Sequence, residues 1–382
     1  MLRNRIIMLF LFYTKTLQHR FDLLNRMMQF KNICLSILFL FILKSAFAQD
    51  PNFSQFLSSK VYYNPANVGS REGMEINLDV RKNWMAIPNS PQSYLVTLDK
   101  SFWNLKGVGG IGLLALNNIE GAGALATMIL GLPISSRIRM TEKFTTQLAI
   151  MPQYQMKRIN WDELVFSDQL DPRLGKILQQ SPGFNYDVVN SASFFDLGYG
   201  ILFTYESHPE KENQSMNSII NAGFSVSHVP EPQMSFLGMP YFLSSKIVVH
   251  FDGRFPLKKG YYQRESIYLM PGIIYEKQGT FSSYILGLSL NRNPLSIGFW
   301  IRNKNFNPKN TTDLIFMFGY QFGLNENSSS RVSVFYTYDS TVSKLNNHDS
   351  GSHEIGIRFN LDDFFIFNEC ESCKDDSWIF ER

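Results

Sequence analysis

The stretch Met74-Glu75-Ile76-Asn77-Leu78-Asp79-Val80-Arg81 decides the fold. Met74, Ile76, Leu78 and Val80 alternate with Glu75, Asn77, Asp79 and Arg81, so one face of an extended chain is apolar and the other polar. Towards the far end, Ile355, Ile357, Phe359 and Leu361 alternate in the same way with Glu354, Gly356, Arg358 and Asn360. Between them, Leu286, Leu288 and Leu290 alternate with Gly287, Ser289 and Asn291. Ile247, Val249 and Phe251 alternate with Lys246, His250 and Asp252, and Val248 alone breaks the pattern. One face stays greasy while the other is polar, Gly-rich or charged.

Working outward gives about 14 such runs: 73–84, 92–102, 107–118, 121–132, 144–156, 194–205, 218–229, 244–255, 266–276, 281–291, 295–302, 313–321, 331–339 and 352–361. Most exceed the roughly 5 to 6 residues of a soluble strand and suit the roughly 9 to 11 that cross a bilayer at a tilt. A sheet in lipid cannot leave an open edge, because unpaired backbone groups are costly there, so it must close. The expected fold is all-β: a transmembrane antiparallel β-barrel of about 14 strands, preceded by a signal peptide. Closure with an even strand number places both ends of the wall in the periplasm and the connections after odd strands outside. The longest connection, 157–193, then faces outward, as do 230–243 and 340–351, while 103–106 and 292–294 are short periplasmic turns. Four further periplasmic connections, 133–143, 206–217, 256–265 and 322–330, are longer than usual. Aromatic residues such as Trp84, Tyr94, Tyr154, Tyr205, Trp300 and Tyr338 fall near run ends, as in a membrane-interface girdle. The rival explanation, the core of a soluble β-sandwich, does not need runs this long.

Composition agrees. Of 382 residues, 44% are hydrophobic and 18% charged, too apolar for a disordered chain. The formal charge of +3 is too small, and too scattered, for a nucleic-acid binder. Residues 30–48 join a basic Lys31, an apolar run from 33 to 43, and Ala46-Phe47-Ala48, the pattern of a secretory signal cleaved after Ala48. The apolar run is too short to span a bilayer as a helix, which takes about 20 residues. The domains expected are an upstream extension at 1–26 that reads as a mis-assigned start, a signal peptide at 27–48, an N-terminal segment or plug at 49–72, a barrel at 73–361 and a tail at 362–382. Removing the first 48 of 382 residues leaves 334, with 29 basic against 32 acidic side chains. Cys370 and Cys373 are the cysteines of that mature chain. They can close a small disulfide in an oxidising compartment or stay a free dithiol; a zinc site would need two more ligands nearby.

The mature chain opens with Gln49-Asp50-Pro51-Asn52-Phe53-Ser54-Gln55-Phe56 and continues to Tyr62-Tyr63-Asn64-Pro65-Ala66-Asn67-Val68-Gly69-Ser70. Physically this is a polar and aromatic segment with a Pro-directed turn, suited to the mouth of a barrel. With Arg81, Trp84, Ile87-Pro88 and Pro91-Gln92, it resembles the PorP/SprF family, outer-membrane components of the type IX secretion system of Bacteroidetes. Three later patches fit the same family: Asp196-Leu197-Gly198-Tyr199-Gly200, Ser227-His228 and Ser352-His353-Glu354-Ile355. The resemblance covers about 49–361 and excludes the tail with its Cys pair. It implies a barrel bathed in outer-membrane lipid that works with the periplasmic type IX ring. It also implies a part in exporting or anchoring large surface adhesins through their C-terminal secretion domain. The interaction candidates are Phe53, Gln55, Phe56, Tyr63, Asn64, Pro65, Ala66 and Trp84, with Trp161 and Asp162 on the long outward loop. A transporter of hydrophobic solutes, a plugged 14-stranded barrel similar in outline to long-chain fatty-acid transporters, is the alternative; those also carry Asn-Pro-Ala near the N-terminus.

Enzyme chemistry finds no support in the sequence. The mature histidines, His208, His228, His250, His348 and His353, lack the spacing of a helical metal pair, and neither a Gly-x-Ser-x-Gly nor a phosphate-binding loop occurs. No catalytic, cofactor-binding or metal-ligating residue and no cofactor is assigned. Gly107, Gly109 and Gly112 match a dinucleotide-loop spacing, but the motif opens a strand-like run and no helix follows. Close backbone approach or a crowded lumen accounts better for these glycines, and for Gly121 and Gly123.

Overall fold

The computed structural model describes residues 50–102, 107–122, 125–176, 181, 190–207, 217–229, 231–234, 241–258, 267–304, 311–324, 330–342 and 349–361. Cys370 and Cys373, and the segments 1–48 and 362–382, lie outside them. The wall is built from β1 (Met74–Lys82), β2 (Gln92–Ser101), β3 (Val108–Glu120), β4 (Leu125–Gly131 continued as Ile134–Arg139), β5 (Phe144–Arg158), β6 (Ser191–Glu206) and β7 (Ile219–Ser227). It continues through β8 (Lys246–Lys258), β9 (Ile267–Gln278), β10 (Phe281–Arg292), β11 (Leu295–Lys304), β12 (Thr311–Gly323), β13 (Arg331–Thr341) and β14 (Ser352–Leu361). Each strand pairs antiparallel with its chain neighbour, and β14 pairs back with β1 from Met74 against Leu361 to Lys82 against His353. The result is a closed, antiparallel 14-stranded barrel.

β4 corrects one expectation. The sequence reading ends this strand at Leu132 and makes 133–143 a connection, and a proline at 133 has no N–H to donate to a ladder. The register nevertheless runs through the proline: Gly131 pairs with Leu114 and Gln153, and Ile134 pairs with Ile111 and Ile150. Pro133 instead contributes its carbonyl, which accepts from the Gly112 N–H at 2.9 Å. Only 140–143 remains as the turn. At the end of the first run, Trp84 leaves the strand with φ of 47°, so it is a loop residue and not a strand end.

The alternation sorts the side chains as expected. Leu286, Leu288 and Leu290 of β10 stand outward, each 44% to 49% exposed, in keeping with an apolar belt against lipid. Asn77, Asp79 and Arg81 of β1 point into the lumen and are buried there. One rim carries the start of β1, the end of β14 and the tight turn 293–294; call it the terminal rim. The opposite, long-loop rim carries the connection 159–190 and the two short ladders Leu170–Asp171 with Gly175–Lys176 and Gln233–Met234 with Tyr241–Phe242.

Candidate functional site: the N-terminal segment in the barrel lumen

Polar side chains lining a lumen must find partners if the lumen is not full of water. Here they find the chain's own N-terminal segment. From Asp50 to Ser70 it runs as an irregular stretch with a turn at 56–58, a single helical turn Lys60–Tyr63, and a 3-10 turn Pro65–Asn67. Asn64 starts that turn, its side-chain oxygen accepting the Ala66 N–H at 2.9 Å, and Pro65 sits at the first position, where its missing N–H costs nothing. Phe53, Ser59, Asn64, Ala66 and Val68 are fully buried. Two tyrosines hold the segment's own shape. Tyr63 Oη donates to the Phe53 carbonyl at 2.8 Å and accepts the Phe53 N–H at 2.9 Å, while Tyr62 Oη donates to the Pro51 carbonyl at 2.7 Å.

The segment, expected at the barrel mouth or as a plug, traverses the lumen. Its Asp50 end lies at the long-loop rim, where the Asp50 N–H donates to Gln278 at 3.0 Å and its carboxylate lies 3.0 Å from His228 Nε2. Midway, Lys60 Nζ pairs with Asp252 at 3.0 Å and Asn64 Nδ2 donates to the Ile201 carbonyl at 3.0 Å. Near the terminal rim the Val68 carbonyl accepts from Ser135 at 2.9 Å and Gln147 at 3.1 Å, and the Gly69 N–H donates to Asp99 at 3.0 Å.

Two charged clusters grip it. In the first, Arg81 Nη1 and Arg302 Nη2 each donate to Ser54 Oγ at 2.6 Å, and Ser54 Oγ donates to Asp339 at 2.5 Å. The Ser54 and Gln55 N–H groups donate to the two oxygens of Glu354 at 2.7 and 3.0 Å. Arg81 also bridges Asp339 and Glu354 at 2.7 and 2.9 Å. In the second, His228 sits between Asp50 and Asp196, 2.6 Å from the latter, while Gln153 and Gln155 donate to Asp196. Burial disfavours the charge on Asp50, but the His228 charge and hydrogen bond, with Lys246 and Lys157, outweigh it and hold the carboxyl well below the usual range. Burial likewise disfavours the His228 cation, yet Asp50 and Asp196 raise it to about 9. The site is a grip on a peptide of the same chain.

Glycines clear the space. Gly69 has φ of +65°, and a Cβ there would come within 2.6 Å of Gly109 O and Gly110 Cα. A Cβ on Gly112 would meet Val68 at 2.8 Å, and one on Gly272 would meet Phe56 at 2.8 Å. A crowded lumen explains Gly109, where a Cβ would meet the Ser135 and Gln147 side chains, and close approach of the β2 backbone at Leu98 and of Val68 explains Gly112, while Gly107 and Gly121 are turn residues of positive φ in open space, not residues of a crowded lumen. Gly123 is outside the described residues.

Of the sequence candidates, Phe53, Gln55, Phe56, Tyr63, Asn64, Pro65 and Ala66 come together in the lumen. Trp84 does not: its N–H donates to Ser352 Oγ at 3.3 Å on the rim. Trp161 and Asp162 belong to the 3-10 turn Trp161–Glu163 of the long loop, whose first turn Asn160 caps. Arg302, Asp339, Glu276 and Asp313 were missed among the site residues. Each is a charge at the inward position of an alternating run, which is the signal that would have found them.

A closed barrel with an apolar outer belt, a polar lumen and a segment of its own chain inside defines an outer-membrane β-barrel. A family profile described as type IX secretion system membrane protein PorP/SprF matches residues 45–359, and the chain belongs to that family. No curated protein matches it. Among solved structures it is similar to the Ralstonia pickettii toluene transporter TbuX, at 11% identity over 80% of this chain and 93% of that one, with a TM-score of 0.41. It is also similar to a Pseudomonas aeruginosa FadL homologue, at 10% identity over 80% and 93% of the two chains, TM-score 0.39. The Pseudomonas putida toluene transporter TodX matches at 10% identity over 82% and 94%, TM-score 0.37.

Proposed function

We propose that the protein serves the type IX secretion and gliding machinery by holding, or helping to export, large surface adhesins that carry a C-terminal secretion domain. The observation that carries this reading is the filled lumen. A barrel whose interior is bonded all round to its own residues 50–70 offers its rims and loops, and not a conduit, to partners. On this reading the long-loop rim, including 157–193, meets the cargo, and the terminal rim with the tail 362–382 meets the periplasmic ring. The export signal at 27–48 is removed after Ala48, which makes Asp50 the second residue of the mature chain.

The test is a mild-detergent pull-down of the tagged protein from outer membranes, with co-purifying proteins identified by mass spectrometry. Recovery of a large surface protein with a C-terminal secretion domain, or of ring components, is the expected result. A barrel that comes down alone and passes hydrophobic solutes across liposomes would replace this reading with the transporter. Residues 157–158 and 191–193 are the paired ends of β5 and β6, so the loop proper is 159–190; replacing it with a short turn should abolish cargo display while the barrel still assembles, and unchanged display refutes the loop's role.

A further inference from the structure

The strands β1 and β14 differ from every other pair of neighbours in the wall. All other neighbours follow one another in the chain, so a connection keeps them close, whereas β1 and β14 are joined only through the whole barrel. A loop raises the effective concentration of the strands it links, and this pair lacks that help. Its ladder has nine register pairs, as many as the β1–β2 and β13–β14 ladders beside it, so what sets the seam apart is its missing connection and not its length.

The N-terminal segment crosses this seam on its lumenal side and bonds to both strands. At the upper rung, Arg81 of β1 and Glu354 of β14 are register partners and pair at 2.9 Å. Glu354 accepts the Ser54 and Gln55 N–H groups, its backbone carbonyl accepts from Gln55 Nε2 at 3.3 Å, and Arg81 donates to Ser54 Oγ. At the lower rung, Ser59 Oγ donates to Asp79 of β1 at 3.1 Å, and Arg358 Nη2 of β14 donates to the Leu57 carbonyl at 2.9 Å. Between the rungs lies Gly356, the register partner of Asp79, and the Gln55 side chain together with the Asp79 carboxylate occupies the place a Cβ there would take.

We infer that residues 54–59 are a seam staple: they lock the first strand of the wall to the last, and the closure of the barrel is completed by this segment as well as by the β1–β14 ladder. The alternative role for the same contacts is filling of the lumen with no special action on the seam. The two roles predict different responses to a covalent seam.

The experiment uses the full chain without its native cysteines (C34S/C370S/C373S), recovered from outer membranes. The staple variant is Gln55→Ala, which removes the side chain bonded to the Glu354 carbonyl and leaves both strands as they are; Gly356→Ala is a second variant that presses on Asp79 of β1 as well as on Gln55. Val80 and Ile355 are outward register partners across the seam, 42% and 51% exposed, so V80C/I355C can be oxidised to a disulfide beyond reach of the segment. Facing residues of antiparallel strands lie about 4.5 to 5.5 Å apart at Cα, within the range of about 4.4 to 6.8 Å that a disulfide spans. F299C/F316C, also register partners and outward, makes the same bond between β11 and β12 as a control.

The readout is the urea midpoint in lipid, oxidised against reduced. The staple variant lowers it, and the oxidised seam bond restores at least half of the loss, while the oxidised control bond does not. The seam bond also raises the midpoint more in the staple variant than in the otherwise native chain, a non-additivity that distant, independent sites do not show. Equal rescue by both bonds, or rescue by neither, overturns the staple.

Discussion

Ser54→Ala isolates the polar grip on the N-terminal segment. The Ser54 hydroxyl is 3% exposed and accepts one guanidinium N–H from Arg81 and one from Arg302, both at 2.6 Å. Alanine leaves those two donors facing a methyl group, in a gap smaller than a water needs. Each guanidinium keeps two carboxylate partners, so each lost acceptor costs about 1–2 kcal/mol, the lower part of the range for a buried unpaired donor, and the two together about 2–4 kcal/mol. Asp339 keeps Arg81 at 2.7 Å and Arg302 at 3.0 Å, so its charge stays compensated and adds little to the loss. With a urea slope near the upper end of the usual range, about 3 kcal/mol per M, the midpoint falls by about 1 M. Arg81→Met must cost more, because it leaves Glu354 and part of Asp339 as buried charges, and breaking such a pair costs about 3–5 kcal/mol. The assay is urea unfolding of the purified barrel in lipid, followed by tryptophan emission; Trp300 packs edge-on against Phe56 at 5.1 Å and so senses the segment itself. A loss below about 0.5 kcal/mol, the scatter expected of a surface change, or a Ser54→Ala loss equal to that of Arg81→Met, would refute the reasoning.

Three further outcomes follow from the geometry. Gly69→Ala forces a side chain onto the Gly109–Gly110 backbone at a left-handed φ of +65°, and should lower the urea midpoint by more than Gly107→Ala, where φ is +78° but the space is open. His228 lies just past the end of β7 and is held protonated up to about 9; its raised value stabilises the segment below the ordinary imidazole range of about 6.5 and the gain is lost as pH rises through about 9. Asp50, held low, keeps its contribution throughout that window and loses it only in acid. Protease protection of the Asp50 end should therefore fall between pH 7 and 10 in the native chain, and an equally steep fall in His228→Ala would exclude His228 as the cause. Leu288→Arg, on the outward face of β10, should destabilise the barrel in lipid by about 2–4 kcal/mol if that face meets the bilayer core, whereas an unchanged midpoint would place Leu288 outside it.

Most of the wall was legible because a period of two is a direct image of which face meets lipid. The exceptions are instructive. Pro133 reads as a breaker, yet β4 continues past it, since a ladder already held on both sides tolerates one missing donor. Trp84 continues the apolar pattern of its run but takes a left-handed backbone, which no pattern of side-chain polarity can reveal. For the site, the segment around Phe53 and Asn64 was legible as a unit from its aromatic and turn residues. Its partners were legible only as scattered fragments. The Asp196, Ser227-His228 and Glu354 patches look weak singly because the sequence does not state that they face one lumen: His228, held by Asp196, meets Asp50, and Glu354 meets Ser54 and Gln55.

That convergence bears on how the barrel can work. Withdrawing the N-terminal segment would expose Phe53, Phe56, Val61, Tyr63 and Val68, all buried in the lumen, and strip the lumenal carboxylates of donors they now hold. Water can rehydrate the charges of the wall, but it offers nothing to the apolar side chains, whose return to solvent costs about 25 cal/mol for each Å² exposed. Any partner that opened this lumen would have to bury those side chains against itself. A solute small enough to diffuse through a barrel cannot do so, whereas a protein surface can. On the proposed secretion reading, opening would therefore be coupled to protein association at a rim, with residues 50–70 holding the lumen until a partner binds.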